Sequence, residues 1–437
     1  MIGRIANLFR VPEIRSRLWV TFLFLIVYRI GSNVPIPGTN MGVFKKVLAT
    51  RDEGNSFIQM MNLLSGGAVN GPFIFGLGIM PYISASIIFS LLVKVMPRLE
   101  AIAKEGAAGQ RRINQWTRIA TVPLAFFQAM IVYHQVYLRK LDAFGFQTFF
   151  EPGFGNFAVV CMALTVGTLF LMWIGEQITE HGVGNGISLI IMAGIIARLP
   201  ENTIGLMHEH PSPATPLMLL LLFVAVVIVV VYITKGTRRI PVQIAKLMRG
   251  RRIYGGQKHF LPIKVNQAGV MPVIFSSSLL AFPALLAGGL GWTWLSESTM
   301  PGSWWYTVLD VALIYFFSYF WTSLMFNPAE MSKNMKEQGS FIPGIRPGRN
   351  TAEFLERVMV HMTLAGATFL AVIAIVPNWL ARQANANVGI SQFLGGTSIL
   401  IVVSVALDLV DKLNSHLMMR NYEGFLRSGG AAGGRRG

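Results

Sequence analysis

The chain has 437 residues, 53% of them hydrophobic and only 13% charged, about half the charged share of a typical soluble protein. So few charges cannot cover a water-facing surface, which excludes a string of soluble domains, yet Lys and Arg outnumber Asp and Glu 37 to 20 for a net charge of +17. Sparse but basic charge fits a membrane protein whose loops present Lys and Arg to one side, with fewer coincidences than a nucleic-acid binder built on an oversized core.

The single cysteine, Cys161, excludes a disulfide scaffold and a thiolate metal cluster. The seven His residues show no H-E-x-x-H spacing, and no G-x-x-x-x-G-K-S/T phosphate loop occurs. No metal, cofactor or nucleotide hydrolysis is therefore expected of the chain itself.

Residues 1–17 are polar and basic with no cleavage motif after a short apolar core, so the first apolar stretch is expected to be kept as a span. A helix crosses roughly 30 Å of hydrocarbon with about 20 apolar residues. Ten stretches qualify: 18–35, 73–93, 119–136, 157–174, 187–204, 217–233, 267–288, 307–326, 358–376 and 393–409. Pro81 is expected inside the second and Gly167 inside the fourth, which membrane helices accept. Glu176, Asp310 and Asp408 are expected at span ends, and Arg29 late in the first span, where it can snorkel.

Loop charge orients the spans. Residues 1–17, 94–118, 175–186, 234–264, 327–357 and 410–437 hold 29 of the 37 Lys and Arg, and the opposite loops hold seven. Both ends of the chain are therefore expected in the cytoplasm. The Pro-rich stretch 206–216 reads as an external hinge loop between a first half, 18–205, and a second, 217–409. Five spans per half would give the halves opposite topology about an axis in the membrane plane. The expected class is an all-α polytopic membrane protein with a cytoplasmic tail, whose Gly/Ala end, 428–437, is expected to lack order.

Three loop features stand out. Phe57, Met60, Met61 and Leu64 line one face of a short helix within 56–71, stopped by Ser65-Gly66-Gly67. It is too short to span, and the residues leave two readings open: a re-entrant half-helix or an interfacial one. Gly182, Gly184 and Gly186 mark a tight connection between spans. Pro343-Gly344-Ile345-Arg346-Pro347-Gly348 brackets Arg346 between two turns, as a presented contact or a merely solvated side chain.

Taken together, these runs resemble the SecY family, the large subunit of protein-conducting channels. The strings are P-I-P-G at 35–38, S-G-G-A at 65–68, G-I-M-P-Y-I-S-A-S-I-I at 78–88, K-E-G at 104–106, W-I-G-E-Q-I-T-E at 173–180 and G-N-G-I-S at 184–188. They continue with R-G-R-R-I-Y at 249–254, L-P-I-K-V-N at 261–266, F-N-P at 326–328, F-I-P-G-I-R-P-G at 341–348 and G-G-T-S at 395–398. They occur in family order across nearly the whole chain.

The resemblance implies two inverted five-helix halves around an hourglass pore that passes unfolded polypeptide. It implies a closing ring of Ile79, Ile83, Ile187, Ile191, Ile274 and Ile401, an apolar constriction able to exclude ions by dewetting. It assigns the 56–71 segment to a re-entrant plug with Asn62, Leu63, Leu64, Ser65, Gly66, Gly67, Ala68, Val69 and Asn70. Spans two, three, seven and eight would form a lateral gate to lipid, with Ser84, Gln128 and Asn266 as polar positions; helix capping is an alternative role for Asn266. Arg251, Arg252 and Arg346 would receive the SecA ATPase and the ribosome, including rRNA phosphates.

Implied partners are the small membrane subunits SecE and SecG, signal peptides and preproteins, an insertase, accessory Sec subunits and the lipid bilayer. The implied site is the bacterial plasma membrane, and the implied role is a conduit rather than an enzyme. The residues leave two alternatives: a secondary transporter of a small solute, which would ordinarily need ionisable groups at membrane depth, and an accessory translocon with few clients.

Overall fold

The computed structural model describes residues 12–40, 72–134, 150, 153–197, 214–244, 247–249, 252–254, 258–290, 303–383 and 396–432. In chain order the helices are α1 (Pro12–Gly31), α2 (Met80–Val95), α3 (Pro97–Lys104), α4 (Ala107–Val132), α5 (Phe154–His181), α6 (Gly186–Ala197) and α7 (Ala214–Thr234). After strands β1 (Thr237–Ile244), β2 (Leu247–Arg249), β3 (Arg252–Tyr254) and β4 (Lys258–Lys264) come α8 (Met271–Leu290), α9 (Trp304–Met325) and α10 (Pro328–Glu337). A short strand β5 (Ser340–Phe341), α11 (Arg349–Gln383) and α12 (Gly396–Ala432) complete the order.

Each of the ten expected spans overlaps one of these helices. Among the described residues, three helices are long and apolar enough to cross a membrane, and a fourth if the pair α2 and α3, bent by 99° at Met96, is counted as one. The other expected spans fall on helices that are shorter, carry more charge, or run into residues outside the described set. Several helices also outrun their apolar stretch: α4 begins at Ala107 and α5 continues to His181, because no breaker intervenes before Gly106 or Gly182.

The structure corrects four expectations. The second span does not begin at Phe73: residues 72–79 form turns, the helix starts at Met80, and Pro81 lies in its first turn, where its missing N–H costs nothing. Asp310 lies two turns inside α9 rather than at its end, because the helix already starts at Trp304. The basic segment 234–264, expected only as a loop in an all-α chain, contains strands. Its alternation of buried Ile240 and Val242 with exposed residues builds β1, which pairs antiparallel with β4 and with β5 in the order β4-β1-β5. Finally, α12 does not end with the apolar run at Leu409 but continues to Ala432.

By Cα packing the chain forms two units: Met1–Gly205 with Ala281–Met300 and Ile401–Gly437, and Leu206–Leu280 with Pro301–Leu400. In the first, Ile36, Leu77, Ala129, Val132, Tyr133, Phe150, Val160, Cys161 and Leu164 form a buried cluster. A second cluster ties Ile14 of α1 to Val183 and to Leu413 of α12. Aromatic rings link α1 to α5, with Phe75 stacked between Tyr28 and Phe170. In the second unit, Ile240, Val242 and Ile263 of the sheet pack on Phe326, Ile342, Leu355, Val358 and Met359. A sheet has one apolar face to bury, and α11 covers it.

Candidate functional site: apolar collar, gate positions and basic loops

The first residues expected in the collar sit where turn becomes helix. Ile36 N donates to the Pro72 carbonyl at 2.7 Å and Ile74 N to Val34 at 3.0 Å, around an antiparallel bridge between Pro35 and Phe73. Thus the described residues on either side of the expected plug are tied together; the plug positions 62–70 themselves lie outside the described residues. The chain then turns at Gly78, with φ of 58°, a left-handed conformation that favours glycine. Ile79 follows as the residue preceding α2, and Ile83 N donates to its carbonyl at 3.1 Å. The two isoleucines are therefore one turn apart and both buried, at 1% and 5% exposure.

Gly175 of α5 gives Ile187 its place. A Cβ on Gly175 would lie 3.1 Å from Ile187 Cγ1, so the small residue lets α6 approach α5 closely. Asn185 Oδ1 accepts from the N–H groups of Ile187 and Ser188 at 3.1 and 3.4 Å, starting α6 in the usual manner of an asparagine cap. Gly184 has φ of 93°, and Val183 N donates to Thr21 Oγ1 of α1 at 3.1 Å. The glycine connection is tight, as expected. Ile191 is buried and Ile187 half-buried. Ile274 of α8 and Ile401 of α12 are also buried, at 3% and 2%.

Of the positions expected at the gate, Ser84 is buried on α2 and donates its hydroxyl to Met80 O at 3.0 Å. Gln128 is buried on α4, which packs against α2. Asn266 Nδ2 donates to Gly269 O at 3.0 Å, closing the turn that leads into α8. This is a turn-closing bond and not the expected helix cap, since α8 starts only at Met271 and the Asn266 side chain donates rather than accepts; both Ser84 and Asn266 spend a bond on their own segment. Sequence reasoning missed an ion pair between α4 and α5: Arg118 Nε meets Glu176 Oε1 at 2.5 Å. The signal was available only as two isolated charges at span ends.

On the basic loops, Arg346 is exposed at a turn fixed from both sides. Gly344 and Gly348 have φ of 84° and 108°, Thr351 Oγ1 donates to Arg346 O at 3.0 Å, and Ser332 Oγ donates to Gly348 O at 2.6 Å. Beside it, β1 and β4 expose Arg238, Arg239, Lys258, His259 and Lys264. Arg252 opens β3, whose backbone pairs it with Arg249 of β2; Arg251 lies outside the described residues. Among the described residues, no cluster of three His, Cys, Asp or Glu could hold a metal ion.

The family model described as SecY matches residues 73–410. The Protein translocase subunit SecY of Escherichia coli (strain K12) is 43% identical, over 96% of this chain and 96% of that protein. The subunit of the same name from Corynebacterium glutamicum is 42% identical over 98% of this chain and 100% of its own length. Among solved structures, one described as a protein conducting channel superposes with a TM-score of 0.62 at 18% identity, covering 94% of this chain and 96% of its own. Canine Sec61 in a ribosome-channel complex superposes at 0.58 and 16% identity, with the same two coverages. Those two likenesses establish the fold, and the bacterial relatives carry it to the sequence level: the chain belongs to the SecY family.

Proposed function

We propose that the chain is the protein-conducting channel subunit of a bacterial translocon, passing unfolded polypeptide across the membrane and releasing apolar segments sideways into lipid. The observation that carries this reading is the near full-length match to bacterial translocase subunits. In it, Ile79, Ile83, Ile187, Ile191, Ile274 and Ile401 form the collar, and residues 62–70 the plug. A collar of stiff β-branched side chains repels ions because water leaves a narrow apolar constriction, yet it parts around a chain. Ser84, Gln128 and Asn266 bias the gate toward closure. Burial of Ser84, Gln128 and Asn266 beside gate helices supports that reading, since a polar contact within the membrane is worth about 0.6–2 kcal/mol.

The protein acts as a conduit, without catalysis of its own, and draws energy from partners. Arg251, Arg252 and Arg346 receive SecA or the ribosome; the fixed, exposed turn around Arg346 supports this, and its contacts to rRNA would be phosphate contacts that weaken with salt. SecE and SecG complete the assembly, an insertase and accessory Sec subunits join it for some clients, and both ends of the chain face the cytoplasm of a bacterial plasma membrane. The test is site-specific photocrosslinking from Ile83 and Ile274 to a preprotein stalled during export. Crosslinks at both, lost when the preprotein is released, are expected; labelling that ignores the preprotein would overturn the pore reading.

A further inference from the structure

An ionisable residue at membrane depth is costly and is kept where it has a partner and a task. Asp310 is the seventh residue of α9, about 9 Å along the axis from Trp304 at 1.5 Å per residue. Trp304 and Trp305 are 76% and 59% exposed at the helix start, as befits side chains at the membrane interface. Asp310 therefore lies almost two turns in from that pair, within the apolar stretch of α9. Its Oδ1 accepts a hydrogen bond from Ser276 Oγ of α8 at 2.5 Å, and its backbone carbonyl lies 3.3 Å from the same hydroxyl. Ser276 is wholly buried.

The bond is unusual for this molecule. Ser84, Thr117, Thr121, Thr165, Thr168 and Ser318 each give their hydroxyl to the carbonyl four residues earlier on their own helix. That is the undemanding way to satisfy a hydroxyl in an apolar environment. Ser276 instead reaches another helix, 34 residues away. Next to it, Phe275 meets Phe317 and Trp321 of α9 edge-on, with ring centroids 5.5 and 5.4 Å apart. Successive helical residues are about 100° apart. The stripe of α8 turned toward α9 is thus Phe275 and Ser276, and Ile274 lies on the far side of the same turn.

We propose that Asp310 is a positioning residue for the collar: through Ser276 it holds the rotation and depth of α8, and with them Ile274. This rests on the reading of Ile274 as a pore residue. Phe275 adds apolar contact that tolerates small sliding, whereas a short hydrogen bond to a carboxyl group is tightly limited in both distance and angle. Releasing it lets α8 rotate or slide against α9 and loosens the closed pore.

The test uses the complete translocon in planar bilayers and in export-competent vesicles. The variants are Asp310→Asn, Asp310→Leu, Ser276→Ala, the Ser276→Ala/Asp310→Leu double and Ile274→Asn. The readouts are idle ion conductance and the export ratio of a preprotein with a defective signal sequence to one with an intact sequence. Asp310→Leu and Ser276→Ala should each raise both readouts by about tenfold, the double no further than either single, and Asp310→Asn, which keeps an acceptor, should lie close to the native chain. Native values for Ser276→Ala, additive effects in the double, or failure of Asp310→Asn to rescue would overturn the proposal. If Ile274→Asn raises conductance while the Ser276 and Asp310 variants do not, only the positioning role falls. If Ile274→Asn changes nothing, the pore reading falls and takes the positioning role with it.

Discussion

Gly167→Ala asks whether close helix packing or helix propensity governs α5. Gly167 lies in the middle of the helix, and in an isolated helix alanine there would be more favourable by about 1 kcal/mol. Here a Cβ at Gly167 would run into the Ile74 carbonyl oxygen and come within 2.9 Å of its carbon, so backbone has to move. Backbone cannot step aside as a side chain does, and Ile74 is held by its N–H bond to Val34 O at 3.0 Å. Overpacking costs about 1–3 kcal/mol and one strained backbone bond about 1 kcal/mol more. Against the propensity gain, a net loss of about 1–3 kcal/mol is expected. Gly155 on the same helix supplies the control, since a Cβ there meets nothing within 4 Å, and Gly155→Ala should be neutral or slightly stabilising. Thermal unfolding of the detergent-solubilised protein, followed by tryptophan fluorescence, reads both variants. Equal Tm values for Gly167→Ala and Gly155→Ala would refute the close approach of α5 to the turn that leads to Ile79.

Two further outcomes are expected. Arg346→Glu should cripple SecA-dependent export while leaving Tm unchanged, because the side chain is exposed and the turn is held by Thr351 and Ser332 through backbone carbonyls; native export would remove Arg346 from the proposed docking site. A double-mutant cycle on Arg118→Ala and Glu176→Ala should give a coupling of only about 0.5–1 kcal/mol, since the two side chains are 47% and 25% exposed and water screens the pair, and zero coupling would mean that the pair adds nothing to the α4–α5 contact.

Much of the architecture is legible without coordinates because the bilayer imposes one strong rule: backbone polar groups in hydrocarbon must be paired within their own helix. Long apolar runs therefore announce helices, and each of the ten finds one. Where that rule stops, so does legibility. The strands of 237–264 carried a faint alternation at Ile240, Val242 and Ile263, but their pairing with Phe341 joins loops about 100 residues apart in sequence. Pro81 falls well inside a span only if the helix is taken to begin where the apolar run begins; residues 72–79, bridged at Pro35 and Phe73, form turns instead.

The candidate site divides in the same way. Resemblance by motif singled out the six isoleucines proposed for the collar, but neither composition nor periodicity could choose them among so many apolar residues. Nor could they reveal that Gly167 and Gly175 are small because a backbone or another helix passes there.

The amino-acid sequence by itself determined the helical membrane class, the apolar stretches that become helices, and the family. Each depends on local composition or on strings of adjacent residues. Only the tertiary structure decided which lone charges have partners: Arg118 with Glu176, and Asp310 with Ser276. A charge at a span end and one bonded across two helices look alike along the chain, because what separates them is the energy of leaving water, and that depends on which helix lies alongside.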